Sequence, residues 1–111
     1  MSYVNEITVV QNDYGYNLEF QVTDANGNPV DLTGADVKIF IGKKGAATAK
    51  VSGTCTVTNA AQGICQYTVQ RGDFNAAPQT YDVELELNYP DRQITARGVT
   101  VNVVLELPET T

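Results

Sequence analysis

The segment TYDVELELNY, Thr80 to Tyr89, is the feature that most narrows what this chain can become. Tyr81, Val83, Leu85 and Leu87 alternate with Asp82, Glu84 and Glu86. Successive side chains of a strand point to opposite faces, so this period of two gives one apolar face and one wet face. The same rhythm recurs along the chain, while helical periodicity is nearly absent. YNLEFQVT sets Tyr16, Leu18, Phe20 and Val22 on one face. ADVKIFI sets Ala35, Val37, Ile39 and Ile41 inward and leaves Phe40 outward.

The remaining segments complete the pattern. EITVVQ, Glu6 to Gln11, reads as an opening strand. A weak edge strand is expected around Ala47 to Val51. TCTVTNAAQGICQYTVQ reads as a hairpin with its turn at Asn59 to Gly63. The last strand is expected from Ile94 to Leu107, and its parity switches. Ile94 and Ala96 are even, whereas Val99, Val101, Val103, Leu105 and Leu107 are odd. A bulge near Arg97 and Gly98 would absorb the extra residue.

About seven strands with regular turn signals predict an all-β chain, an immunoglobulin-like β-sandwich of about seven antiparallel strands. There is no Trp, and both cysteines fall in one hairpin, which excludes the inter-sheet disulfide of antibody domains. A jelly roll or small barrel is the alternative architecture and needs about eight strands. The 111 residues are expected to form a single domain over 1–111, with its core at about 5–107. A chain of this size buries roughly two-thirds of its unfolded surface, enough for a core without staples.

Composition then restricts function. The net charge is −6, from 13 acidic and 7 basic residues. Such a surface repels phosphate, so nucleic acid is not an expected partner. Lys38, Lys43, Lys44 and Lys50 read as a solvated edge rather than an anion-binding patch. No apolar run approaches the ~20 residues of a membrane helix, so no membrane association is expected. The opening MSYVNEITVV does not read as a secretory signal, which favours synthesis in a cytoplasm. Cys55 and Cys65 then read as two buried or half-buried thiols. A disulfide between them depends on the hairpin register.

Motifs for chemistry are weak. With no His, Ser-His and Cys-His catalysis are excluded. Asp82, Glu84 and Glu86 are the best carboxylate row, and they read as the wet face of a sheet rather than an acid–base pair. GKKGAATAK lacks phosphate-loop spacing. Asp24, Asn26 and Asn28 match the first positions of a calcium-binding EF-hand loop, but Pro29 and Ala35 break the sixth and twelfth. A looser calcium site using Asp24, Asn26, Asn28 and Asp31 is the alternative to tight-turn chemistry at Asn26-Gly27, which suffices to explain the loop. The expectation is therefore no enzyme, no metal and no cofactor.

What remains is surface. The tripeptide Arg71-Gly72-Asp73 lies in a predicted loop and matches the integrin-binding motif, while Phe74 is expected to pack beneath it. Outward Phe40 and Tyr89 are candidate contact residues because aromatics are enriched at interface cores. Tyr3 and Val4 are candidate anchors for strand addition to a partner sheet. Arg71 and Asp73 complete the set of candidate partner contacts.

The order YNLEFQVTD, ANGNPV, DLTGADVKIFI, then GICQYTVQ and APQTYDVELEL, resembles the immunoglobulin-like N-terminal domain of tailed-phage baseplate upper proteins and related small phage structural modules. The resemblance covers about residues 14 to 107. It implies a non-enzymatic virion role and a location in the virion after synthesis in the host cytoplasm. Its expected partners are other virion structural proteins, with self-association left open. The chain stops after the domain, which leaves two expectations side by side: a baseplate or tail adaptor, and a capsid decoration or cement protein. The competing reading is a bacterial cell-surface adhesion or carbohydrate-binding module.

Overall fold

The computed structural model describes residues 5–43, 49–75 and 79–105. Eight strands are present among them: β1 (Asn5–Val10), β2 (Asn17–Gln21), β3 (Asp36–Gly42), β4 (Val51–Thr54), β5 (Thr56–Asn59), β6 (Ile64–Thr68), β7 (Thr80–Asn88) and β8 (Gln93–Val104). They form a five-stranded sheet, ordered β1-β8-β7-β3-β4, and a three-stranded sheet, ordered β2-β6-β5. The two sheets make the all-β sandwich that the alternation requires.

The alternating faces meet in one core. From the larger sheet come Val37, Ile39 and Ile41 of β3, Tyr81, Val83, Leu85 and Leu87 of β7, and Val101 and Val103 of β8. From the smaller sheet come Leu18 and Phe20 of β2, and Cys65 and Tyr67 of β6. Fully burying a side chain such as Leu87 contributes about 1.5–3 kcal/mol relative to leaving it exposed. Phe74 is buried at 1% exposure, as expected for a residue packed beneath its loop.

The parity switch in β8 is a bulge. Val83 faces Val99 and Leu85 faces Ala96, so between these pairs the single residue Glu84 of β7 opposes two of β8, Arg97 and Gly98. Gly98 takes φ 113, which residues with a Cβ rarely adopt. The extra residue turns the second half of β8 so that Val101 and Val103 reach the core.

Several expectations need correction. β4 begins at Val51, where the expected strand was to end; Ala47 itself lies outside the described residues. β8 ends at Val104, and Leu105 is 66% exposed rather than inward. Leu107 lies outside the described residues. The sheet is not wholly antiparallel: β1 pairs with β8 in parallel, with Ile7 opposite Val101 and Val9 opposite Val103. Parallel neighbours cannot be joined by a hairpin, and here the rest of the fold is the connection.

β4 and β5 are one chain direction divided between the sheets. Thr54 still pairs with Lys38 of β3, and the Cys55 amide donates to the Val37 carbonyl at 2.8 Å. One residue later Thr56 pairs with Gln66 of β6. Strands that switch sheets in this way make the corners of a sandwich.

The β5–β6 turn is a 3-10 turn over Ala60–Gln62. Its Asn59 side chain accepts from the Gln62 amide, and Gly63 closes it at φ 69. A Cβ on Gly63 would lie 2.6 Å from the Val22 carbonyl oxygen and 2.8 Å from that of Val30. Both neighbours are backbone and cannot rotate away. Gly63→Ala is therefore expected to cost about 1–3 kcal/mol, through overpacking and a disfavoured φ. Gly34→Ala, at φ 78 with nothing within 4 Å of its Cβ, should cost less. Denaturant unfolding of both variants checks the order.

Candidate functional site

β1, β3 and β8 all end at one pole of the sandwich, here the upper pole. The loops 11–16 and 69–75 meet there. Gly15 donates to the Val69 carbonyl and Val69 to the Tyr16 carbonyl, both at 2.8 Å, which brings the two loops side by side.

The Arg-Gly-Asp tripeptide sits in this pole, but its two charged ends do different work. The Asp73 Oδ2 atom accepts from the Tyr67 hydroxyl at 2.5 Å and from the Gln70 amide at 2.8 Å. This ties the carboxylate into the fold. Arg71 turns the other way. Its guanidinium lies 4.8 Å from the Tyr14 ring centroid and donates to the Tyr14 hydroxyl at 2.5 Å. Tyr14 is 48% exposed. Nearby, Lys50 Nζ donates to Asn75 Oδ1 at 3.0 Å. The upper pole therefore presents an aromatic ring, a stacked guanidinium and an ammonium together.

Tyr67 links this pole to the core. Burial is the main cause that raises its phenol pKa, and the Asp73 carboxylate raises it further by hydrogen bond and by charge. Tyr16 is also raised, first by burial and then by Asp13 and Asp73. Its hydroxyl is buried and finds no hydrogen-bond partner among the described residues.

The lower pole holds the DANGNPVDLTGA loop. The Asp24 Oδ1 atom accepts from the Asn26 and Asn28 amides, both at 2.9 Å, and the Gly27 amide donates to the Asp24 carbonyl. Asp31 Oδ1 accepts from the Thr33 amide and hydroxyl, which lowers its pKa. These carboxylates fasten turns in their own loop. Tyr89 is half-buried and joins this pole: its hydroxyl donates to the Asp31 carbonyl at 2.7 Å, and Arg92 stacks 4.1 Å from its ring.

Phe40 lies half-buried on the outer face of the larger sheet. It lines a shallow groove of about 270 Å³ with Lys38, Ser52, Gly53 and Thr54. On the same face Glu84 pairs with Arg97 at 2.9 Å, and Glu86 accepts from Asn88 at 2.9 Å. Tyr3 and Val4 lie outside the described residues. The structure thus places the other candidates apart: Arg71 and Asp73 at the upper pole, Phe40 on the sheet face, and Tyr89 at the lower pole. Sequence reading missed Tyr14, because only the fold brings it to Arg71.

A family model described as the BppU N-terminal domain matches residues 2–111. The chain belongs to this family. It is the N-terminal domain of phage baseplate upper proteins, so the chain is a phage baseplate structural domain by family. No curated protein matches the chain. Among solved structures, the crystal structure of CopC from Methylosinus trichosporium OB3b is similar, with a TM-score of 0.53 and 10% identity. The match covers 96% of this chain and 90% of that one. At such identity the likeness concerns fold alone. The BppU N-terminal domain assignment agrees with the resemblance carried by the loop and strand motifs.

Asp73→Ala is expected to cost about 1–3 kcal/mol, because it leaves the buried Tyr67 hydroxyl without its acceptor. The pH response follows from the sign of the Tyr67 shift. Its folded pKa lies above the ordinary value of 10.0, so its contribution is complete below that pH. That contribution is lost as pH rises through the folded value. Chemical denaturation across alkaline pH should show this loss in the native domain and a weaker dependence in Tyr67→Phe.

Proposed function

We propose that this chain is a single non-enzymatic module that binds other virion structural proteins and resides in the virion. The observation that carries this reading is the family match over residues 2–111. The arrangement of polar groups supports it. Asp24, Asp31 and Asp73 hold turns, and Glu84 and Glu86 are engaged on a sheet face. What faces outward is suited to protein contact: Tyr14 with Arg71, Phe40 in its groove, and Arg92 on Tyr89. Tyr and Arg are enriched among residues that dominate binding energy. Among the two placements, the family favours a baseplate or tail adaptor over capsid decoration. The acidic balance of the chain argues against nucleic acid as partner.

The test is co-sedimentation of the purified domain with phage particles that lack it. The native domain should pellet with the particles and saturate. Arg71→Ala combined with Tyr14→Ala should reduce binding about tenfold or more, as for a hot spot worth ~2 kcal/mol, with an unchanged circular dichroism spectrum. Absence of binding to any such particle, together with binding to glycans, would overturn the virion reading.

A further inference from the structure

The β3–β4 hairpin is set apart from the rest of the chain by its charge. Residues 37–54 hold all four lysines, Lys38, Lys43, Lys44 and Lys50, and none of the 13 acidic residues. The remainder of the chain is therefore strongly acidic. Lys38, Lys43 and Lys50 are exposed and form no ion pair with another described residue. Lys50 donates to the neutral side chain of Asn75, which leaves its charge uncompensated. On β7, Glu86 stands opposite Lys38 and Glu84 opposite Phe40. Those two carboxylates are engaged elsewhere, Glu86 by Asn88 and Glu84 by Arg97.

Lysines alone read as a solvated edge, but the fold adds two features beside them. The first is an open strand edge. β4 is the last strand of its sheet, and among the described residues β3 is its one paired neighbour. Along an antiparallel strand, backbone groups point alternately to one side and the other. The Cys55 amide is turned to Val37 of β3. By the same alternation, the backbone groups of Ser52 and Thr54 face the open side. The second feature is the groove on the outer face. Ser52 pairs with Phe40, and Thr54 pairs with Lys38. These two small side chains, with Gly53, make a low wall between the open edge and Phe40.

We propose that the open edge of β4 is a strand-addition site for an extended acidic segment of another protein. The added strand pairs with the backbone of Ser52 and Thr54 at the usual spacing of about 4.8 Å. Alternate side chains of that strand lie on the outer face. There an apolar one reaches over Ser52 onto Phe40, and the carboxylates on either side of it meet Lys38 and Lys50. The segment thus reads acid, any residue, apolar, any residue, acid. Strand addition takes affinity from the main chain and selectivity from such side-chain contacts. The lysines also reject a wrong occupant. Two β4 edges brought together would set lysine against lysine, which disfavours a second copy of this chain there. The inference rests on the reading of the chain as a protein-binding module and names a surface other than the Arg71–Tyr14 pair.

The experiment titrates the isotope-labelled full chain with the capped peptide Thr-Glu-Thr-Leu-Thr-Glu-Thr and follows backbone amides by NMR. The expected result is saturable binding at millimolar peptide or below, with shifts centred on Ser52, Gly53, Thr54 and Phe40. Added salt should weaken it, as for exposed charges. Lys38→Glu combined with Lys50→Glu should reduce affinity about tenfold. Ser52→Pro, which a solvent-facing edge tolerates, should remove the shifts while the other amides keep their native positions. A fully N-methylated peptide keeps the charges but cannot pair, and it should not bind. A chain that takes the peptide at β4 yet sediments with no particle keeps this site and loses the virion reading. The proposal is overturned if the peptide leaves the β4 amides unmoved or if the N-methylated peptide binds equally well. Tighter binding of a single-stranded oligonucleotide at the same edge overturns it too.

Discussion

Much of the structure depends on how the Tyr67 side chain is held. Its ring lies against Gly53 of β4 so closely that a Cβ there would stand 2.7 Å from Cε1. Its backbone faces Leu18 of β2, and its hydroxyl donates to Asp73. One residue therefore joins both sheets and the turn above them. The contact works because β4 carries its glycine at the point of approach. It also works because Asp73 supplies an acceptor where a buried hydroxyl would otherwise be unpaired. With that tie in place, the 70–73 turn has a fixed shape, and Arg71 is directed away from the core toward Tyr14.

The same division of labour runs through both poles. Acidic side chains are used locally: Asp24 and Asp31 accept from amides within a few residues, and Asp73 accepts from Gln70 and Tyr67. The arginines instead lie over tyrosine rings, Arg71 on Tyr14 and Arg92 on Tyr89. Planar guanidinium groups stack on aromatic faces while keeping donors outward. Loops that first look like binding motifs thus become rigid supports, and the stacked pairs are what the supports display.

The strands were legible because their information is local. The alternation in β7 needs only its own nine residues, and the change of parity at Arg97 and Gly98 announces the bulge before any pairing partner is known. The loop from Asp24 to Ala35 was legible for a similar reason, since its carboxylates bond within four residues, and the same motif carried the family resemblance. Pairing was not legible. The parallel union of β1 with β8 joins the two ends of the chain, and no hairpin turn signals it. Leu105 kept the inward parity of its strand, but pairing had already ended at Val104. The site failed for the same reason: Arg71 and Tyr14 are 57 positions apart, and Tyr89 and Asp31 are 58. Composition marks these residues as contact formers; only the assembled sandwich decides which of them face outward.

The parallel pairing of β1 and β8 has a mechanical consequence. β1 enters at the lower pole, and β8 leaves at the upper pole, side by side over Asn5–Val10. Tension drawn through these two strands in opposite directions runs along the strand axes. The hydrogen bonds of the pair are then loaded together in shear, rather than opened one after another like a zipper. A module with this topology resists extension best along the line that joins β1 to β8.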